Sequence, residues 1–161
     1  MAHRQEGVYR ANRGFTLVEV IIVVLILSIV AVAVVPKFTN AASDARETAL
    51  ASNLAMLRRQ IEIYKCEHLG RGPQLKEDGK PDPAKFVPRL TSRTDVTGKL
   101  NPAGECGPYM MEWPANPYAK ASEAEKIKFG GDPVPPRDDS TGWYFSVTAE
   151  TIHINTSEGI N

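Results

Sequence analysis

The dominant pattern in the chain is an unbroken apolar run near its amino terminus. From Phe15 to Val35 it reads FTLVEVIIVVLILSIVAVAVV, interrupted only by Thr16, Glu19 and Ser28. A helix rising about 1.5 Å per residue would cover about 30 Å over this length, the depth of a bilayer's hydrocarbon core, so the run predicts one transmembrane helix over residues 15–35. Pro36 removes one helical hydrogen bond and predicts a bend rather than an end, because the sequence beyond it stays helical in character. Leu50, Leu54, Leu57, Ile61 and Tyr64 then recur at spacings of four and three, with Arg58, Arg59, Gln60, Glu62 and Lys65 beside them. This single apolar stripe serves either a coiled coil or the cover of a small domain, and the second use is the commoner. Gly70-Arg71-Gly72-Pro73 closes the pattern, so one helix is predicted from about Phe15 to Leu69, amphipathic over residues 36–69.

The remainder, residues 70–161, alternates between loops and short apolar segments. Residues 72–102 are rich in proline, glycine and charge and predict little regular structure. Asp82 and Pro83 open a short helix there, as cap and first turn, and Pro88 limits it. Tyr109, Met111 and Trp113 alternate with Met110 and Glu112, the period of two of a half-buried strand, which stops at Pro114-Ala115-Asn116-Pro117. Gly142–Val147 and Thr151–Asn155 predict a hairpin turning at Thr148, Ala149 and Glu150. About three strands result, near the minimum for a stable sheet, and the amphipathic helix can cover them. The fold class is α+β.

Charge and composition narrow the chemistry. Of the 161 residues, 19 are basic and 19 acidic, so there is no broad electrostatic footprint for nucleic acid. His3, His68 and His153 lie far apart, without metalloprotease spacing. Cys66-x-His68 with Cys106 offers three zinc ligands but no evident fourth. Ser140 and Ser146 stand outside any G-x-S-x-G elbow, and no Walker or dinucleotide glycine pattern occurs. Cys66 and Cys106 are therefore either a single disulfide, closing a loop of about forty residues and contributing on the order of 3–4 kcal/mol, or two free thiols. No catalytic residue and no cofactor is indicated.

The leader before the apolar run carries Arg4, Arg10 and Arg13 against the single acid Glu6. Positive flanks stay in the cytoplasm, which places the carboxyl-terminal bulk outside the membrane. Ala31-Val32-Ala33 matches a secretory cleavage site, but the apolar run exceeds a signal peptide's roughly 7–15 residues and contains a carboxylate. Glu19 is the unusual residue. An acid within a membrane helix costs on the order of 2–3 kcal/mol unless it is paired or snorkels to the interface.

Arg13-Gly14-Phe15-Thr16-Leu17-Val18-Glu19, followed by the apolar run and Pro36, resembles the class III signal of type IV prepilins and type II secretion pseudopilins. That resemblance implies cleavage between Gly14 and Phe15 by a prepilin peptidase and methylation of the new amino group of Phe15. It makes Glu19 the acidic fifth residue of the mature chain, which attracts the amino terminus of a neighbouring subunit during assembly. It further implies a long helix whose carboxyl-terminal half packs on a small antiparallel sheet. The parts would be a leader 1–14, a transmembrane segment 15–35, an extracytoplasmic half-helix 36–69 and a small globular domain 70–161.

A shorter resemblance covers Gly107-Pro108-Tyr109 and Trp113-Pro114-Ala115-Asn116-Pro117-Tyr118, which are similar to the loop and strand of major pseudopilins. Those proteins commonly bind calcium through an acidic loop. Here Asp132, Asp138 and Asp139 lie among prolines without a recognisable ligand series, so calcium binding stays open but has no clear ligand motif behind it. The implied function is a structural subunit of a type II secretion pseudopilus or related type IV pilus-like filament. Its partners would be the peptidase, other copies, minor pilins and an inner-membrane assembly platform. It would cross the inner membrane once, and the assembled filament would stand in the periplasm or at the cell surface. A minor pilin binding substrate, surface or DNA, and an enzyme on an uncleaved signal anchor, are the alternatives.

Overall fold

The computed structural model describes residues 14–159; the basic leader flank and His3 lie outside the described residues. Helix α1 spans Leu17–Glu67, a 3-10 turn covers Pro83–Lys85, and α2 spans Phe86–Thr91. Strands β1 (Ile127–Gly130), β2 (Trp143–Ser146) and β3 (Thr151–Ile154) form one sheet in that order. Two compact units result, Met1–Ala42 and Ser43–Asn161. In the first, α1 continues through position 36, so the proline does not end the helix.

In the second unit the predicted stripe is the helix's contribution to the core. Leu50, Leu57, Ile61 and Tyr64 are buried and Leu54 partly so, which settles the stripe as domain cover. They meet Phe86 and Leu90 of α2 and one face of the sheet. Alternate residues of a strand share a face, and the register pairs Trp143 with Ile154 and Phe145 with Ile152. These four side chains form one apolar layer, extended on β1 by half-buried Ile127 and Phe129, the partners of Trp143 and Phe145. The Phe86 ring fills the middle, 4.8 Å from Phe145, 5.4 Å from Phe129 and 6.0 Å from Trp113. Fully burying a side chain of this size contributes about 1.5–3 kcal/mol.

The hairpin of β2 and β3 turns over residues 147–150, as the sequence predicts. The third strand does not come from Tyr109–Trp113. That segment lies between Pro108 and Pro114, and the amides of Tyr109 and Met110 donate to the Leu90 carbonyl at 2.9 and 3.1 Å. Its buried residues are Met110 and Trp113, three apart, while Met111 is 93% exposed. The alternation there is a coincidence of composition. Ile127–Gly130 takes the strand's place and pairs parallel with β2, so the sheet is mixed rather than antiparallel.

Two loop details also differ from the sequence reading. Pro88 lies within α2, at its third residue, where a helix has no intrahelical use for the missing N–H. Asp82 stands at the cap position of the 3-10 turn but makes no side-chain capping bond. Its carboxylate instead pairs with Arg89 at 3.0 Å. The buried Arg89 guanidinium also donates from Nε to the Gly98 carbonyl at 3.0 Å and from Nη1 to the Pro73 carbonyl at 3.1 Å. One side chain thus fastens three separated stretches of the irregular 72–102 region.

α1 ends where expected within two residues. Leu69 and Gly70 turn to positive φ, and the Gly70 amide closes back on the Lys65 carbonyl at 2.9 Å. His68, fully buried, stacks on Tyr64 with ring centroids 3.8 Å apart. Its Nδ1 donates to the Tyr64 carbonyl at 2.8 Å, and its Nε2 pairs with the Thr94 hydroxyl at 2.9 Å.

Candidate functional site

The first unit places the predicted processing residues just ahead of α1. Gly14 and Phe15 lie outside any regular element and are exposed. A Cβ added at Gly14 would meet nothing within 4 Å, so no neighbouring group in the chain requires glycine there. Thr16 caps the helix: its hydroxyl accepts from the Glu19 amide at 3.2 Å, and its carbonyl accepts the first helical bond, from Val20, at 3.3 Å. Thr16-Leu17-Val18-Glu19 is a capping-box pattern. Thr16 thus has a role that its reading as a mere interruption of the apolar run missed, although the S/T-x-x-E spacing signals it.

Glu19 sits in the first turn, where the positive end of the helix dipole favours a carboxylate. Among the described residues its carboxylate has no hydrogen-bond or ion-pair partner. Around and beyond it, every side chain from Leu17 to Val34 is exposed. Those 18 residues have a mean hydropathy of 3.2, and the helix they form is long and apolar enough to cross a membrane. An apolar surface of this extent needs lipid or neighbouring helices around it. The arrangement can therefore do two things: offer an accessible peptide bond to an external enzyme, and present one carboxylate on an otherwise apolar helix.

The second unit holds the other candidate residues apart. The bridge expected between Cys66 and Cys106 is not formed, and both are free thiols. Cys66 follows buried Tyr64 by two residues, about 200° around a helix that advances roughly 100° per residue, and so lies exposed on the face away from the core. Cys106 is buried in a bridge to Thr94, with amide bonds of 3.0 Å in both directions. Burial, and then the nearby Glu67 carboxylate, pushes its thiol up from the ordinary range. Alkylation without reductant should modify Cys66 readily and Cys106 slowly; protection of both, relieved together by reductant, would contradict the free-thiol arrangement. The Cys66, His68 and Cys106 zinc grouping does not assemble either, since both ring nitrogens of His68 are engaged inside the core.

The acidic loop does not fit calcium, which takes six to eight oxygens. Lys128 forms an ion pair with Asp138. The Ser140 hydroxyl at 2.6 Å and the Asn155 amide at 2.8 Å donate to the same carboxylate. Lys128 and then Ser140 hold the Asp138 carboxyl well below the usual carboxylate range. Asp139 accepts from the Ser157 amide at 2.7 Å and hydroxyl at 2.8 Å. Asp132 is exposed, and among the described residues only its carbonyl is used, by the Tyr144 hydroxyl. Among the described residues no group of three His, Cys, Asp or Glu side chains could hold a metal ion.

An amino-terminal capped apolar helix, followed by an amphipathic stretch and a small mixed sheet, defines an α+β protein of pilin-like architecture. Residues 9–35 match the family described as the prokaryotic N-terminal methylation motif. Over 140 residues the chain is 24% identical to the type II secretion system core protein G of Dickeya chrysanthemi, covering 83% of this chain and 86% of that one. Over 66 residues it is 29% identical to the ComG operon protein 3 homolog of Bacillus licheniformis, covering 41% of this chain and 68% of the other. The chain thus carries a prepilin-type motif and is similar in sequence to a type II secretion system core protein G and to a ComG operon protein 3 homolog. No solved structure matches it.

Proposed function

We propose that the chain is a structural, non-enzymatic subunit of a type II secretion pseudopilus or a related type IV pilus-like filament. A prepilin peptidase cuts between Gly14 and Phe15 on the cytoplasmic side and methylates Phe15. The mature subunit is held by residues 15–35 as a single inner-membrane span, with residues 36–69 and the globular part 70–161 outside. Assembly draws the amino group of Phe15 in one copy to Glu19 of another, with minor pilins and a membrane assembly platform as further partners.

The observation that carries this reading is the pairing of an exposed Gly14-Phe15 bond with a Glu19 whose carboxylate has no partner among the described residues, on an exposed apolar helix. Gly14 has open space around it, so the demand for glycine comes from outside the chain: a protease must seat an extended backbone closely, and a residue without a side chain allows it. The similarity over 140 residues to a type II secretion core protein supports a filament subunit of this general kind. Mass spectrometry of the membrane form should find a chain beginning at methylated Phe15. A leader 1–14 left intact beside active peptidase would overturn the reading.

A further inference from the structure

In the second unit, Arg58 of α1, Arg137 of the 131–142 connection and His153 of β3 line one cavity of about 200 Å³, whose walls are completed by Leu54, Pro135 and Ile154. We propose that this cavity binds a small oxyanion, a phosphate or carboxylate group. Its lining carries two guanidinium groups and no carboxylate. The acids closest in sequence to these arginines are engaged elsewhere. Glu62, one turn beyond Arg58, pairs with Lys65 at 3.1 Å. Asp138 is held by Lys128, and Asp139 by Ser157.

The site is built rather than incidental. Arg58 Nε donates to the Ile152 carbonyl at 3.1 Å, which fixes the guanidinium and leaves its two Nη groups for a ligand. A guanidinium fork matches two oxygens of a carboxylate or phosphate. His153 Nε2 is buried without a partner. Arg58 and Arg137 are both exposed, so the attraction rests on two forked cations lining one small cavity and not on burial. The volume falls below the roughly 300–1,000 Å³ of pockets for drug-sized ligands, so a single oxyanion group fits and a nucleotide does not. A second cationic cavity, of about 290 Å³, lacks these properties. Glu77 and Asp82 line it beside Lys76, Lys85 and Lys99, and its Arg89 is already committed.

The oxyanion has two sources: a free ion, or an acidic side chain of a neighbouring copy, the latter resting on the filament reading. The test uses the full chain in detergent micelles, following the His153 ring signals by NMR during titration with inorganic phosphate or with chloride at matched ionic strength. Phosphate alone should give a saturable shift, with affinity reduced about tenfold in Arg58→Gln and in Arg137→Gln. Arg137 is exposed in a loop, so its variant keeps the fold, and Lys85→Gln at the other cavity should titrate as wild type. A shift that does not saturate, Arg137→Gln titrating like wild type, or Lys85→Gln losing as much, would overturn the site. Filaments loosened by phosphate and not by chloride identify the neighbouring carboxylate as occupant; filaments unmoved beside a positive titration identify a free ion. Wild-type chain that forms no filament would sink the filament reading and leave the titration standing.

Discussion

Glu19→Ala should leave the subunit in the membrane and remove the filament. Insertion needs only the apolar run, and losing a charge that costs on the order of 2–3 kcal/mol in lipid does not weaken it. Assembly is different. The ammonium created at Phe15 by cleavage would enter a low-dielectric bundle without a counter-charge, and deleting one member of such a buried pair costs about 3–5 kcal/mol. That is roughly two to three and a half decades in association at every contact along the polymer. Sheared filament should therefore fall to background while membrane levels match wild type. The capping bond uses only the Glu19 amide, so Ala keeps it and the helix start is undisturbed. Normal filament yield at matched membrane levels would eliminate Glu19 from assembly and leave it as a headgroup-seeking side chain.

Arg89→Ala should be the most damaging single change in the second unit away from its apolar core. The side chain is 5% exposed and is bound to Asp82, Gly98 and Pro73 together. Its removal strands a largely buried carboxylate and several carbonyls, an expected loss of about 3–5 kcal/mol. Lysine restores the charge but cannot supply the forked set of donors, so Arg89→Lys should recover only part. Denaturant unfolding of the full chain in micelles, followed by tryptophan fluorescence, would measure the change. A midpoint unmoved by Arg89→Ala would refute the idea that this guanidinium organises the 72–102 region. An ion pair and carbonyl contacts, with Cys66 and Cys106 left as free thiols, hold this region together.

What the sequence revealed and what it concealed divide along physical lines. The helix and the β2–β3 hairpin were legible because their signals are local: Leu50 to Tyr64 repeat over turns of one helix, and Trp143 and Thr151 begin strands joined by a four-residue turn. β1 was not, because it has four half-buried residues and pairs parallel with a strand reached only after residues 131–142. Ile127 and Phe129 do alternate with Lys128, but so do Tyr109 and Met111 with Met110. Only the surrounding prolines and the amide bonds to Leu90 separate a strand from an extended loop. The Gly14–Glu19 segment was readable because its residues are consecutive. Arg58, Arg137 and His153 come from three distant stretches, and nothing short of the folded chain brings them to one cavity.

The cap at Thr16 also fixes how much slack the mature chain would have. The helix starts at Leu17 and Thr16 is tied to it, so a cut after Gly14 leaves Phe15 as the whole leash between the new amino group and a rigid rod. One residue spans at most about 3.6 Å, which confines the positive charge to a small sphere at the rod's end. A longer leash would let the amine find a carboxylate at many offsets; on the filament reading proposed above, this one would let it report the stagger between neighbouring rods. Lengthening it by a single residue after Gly14 would blur that measurement without changing any charge, and the subunit would lose its ruler while keeping its magnet.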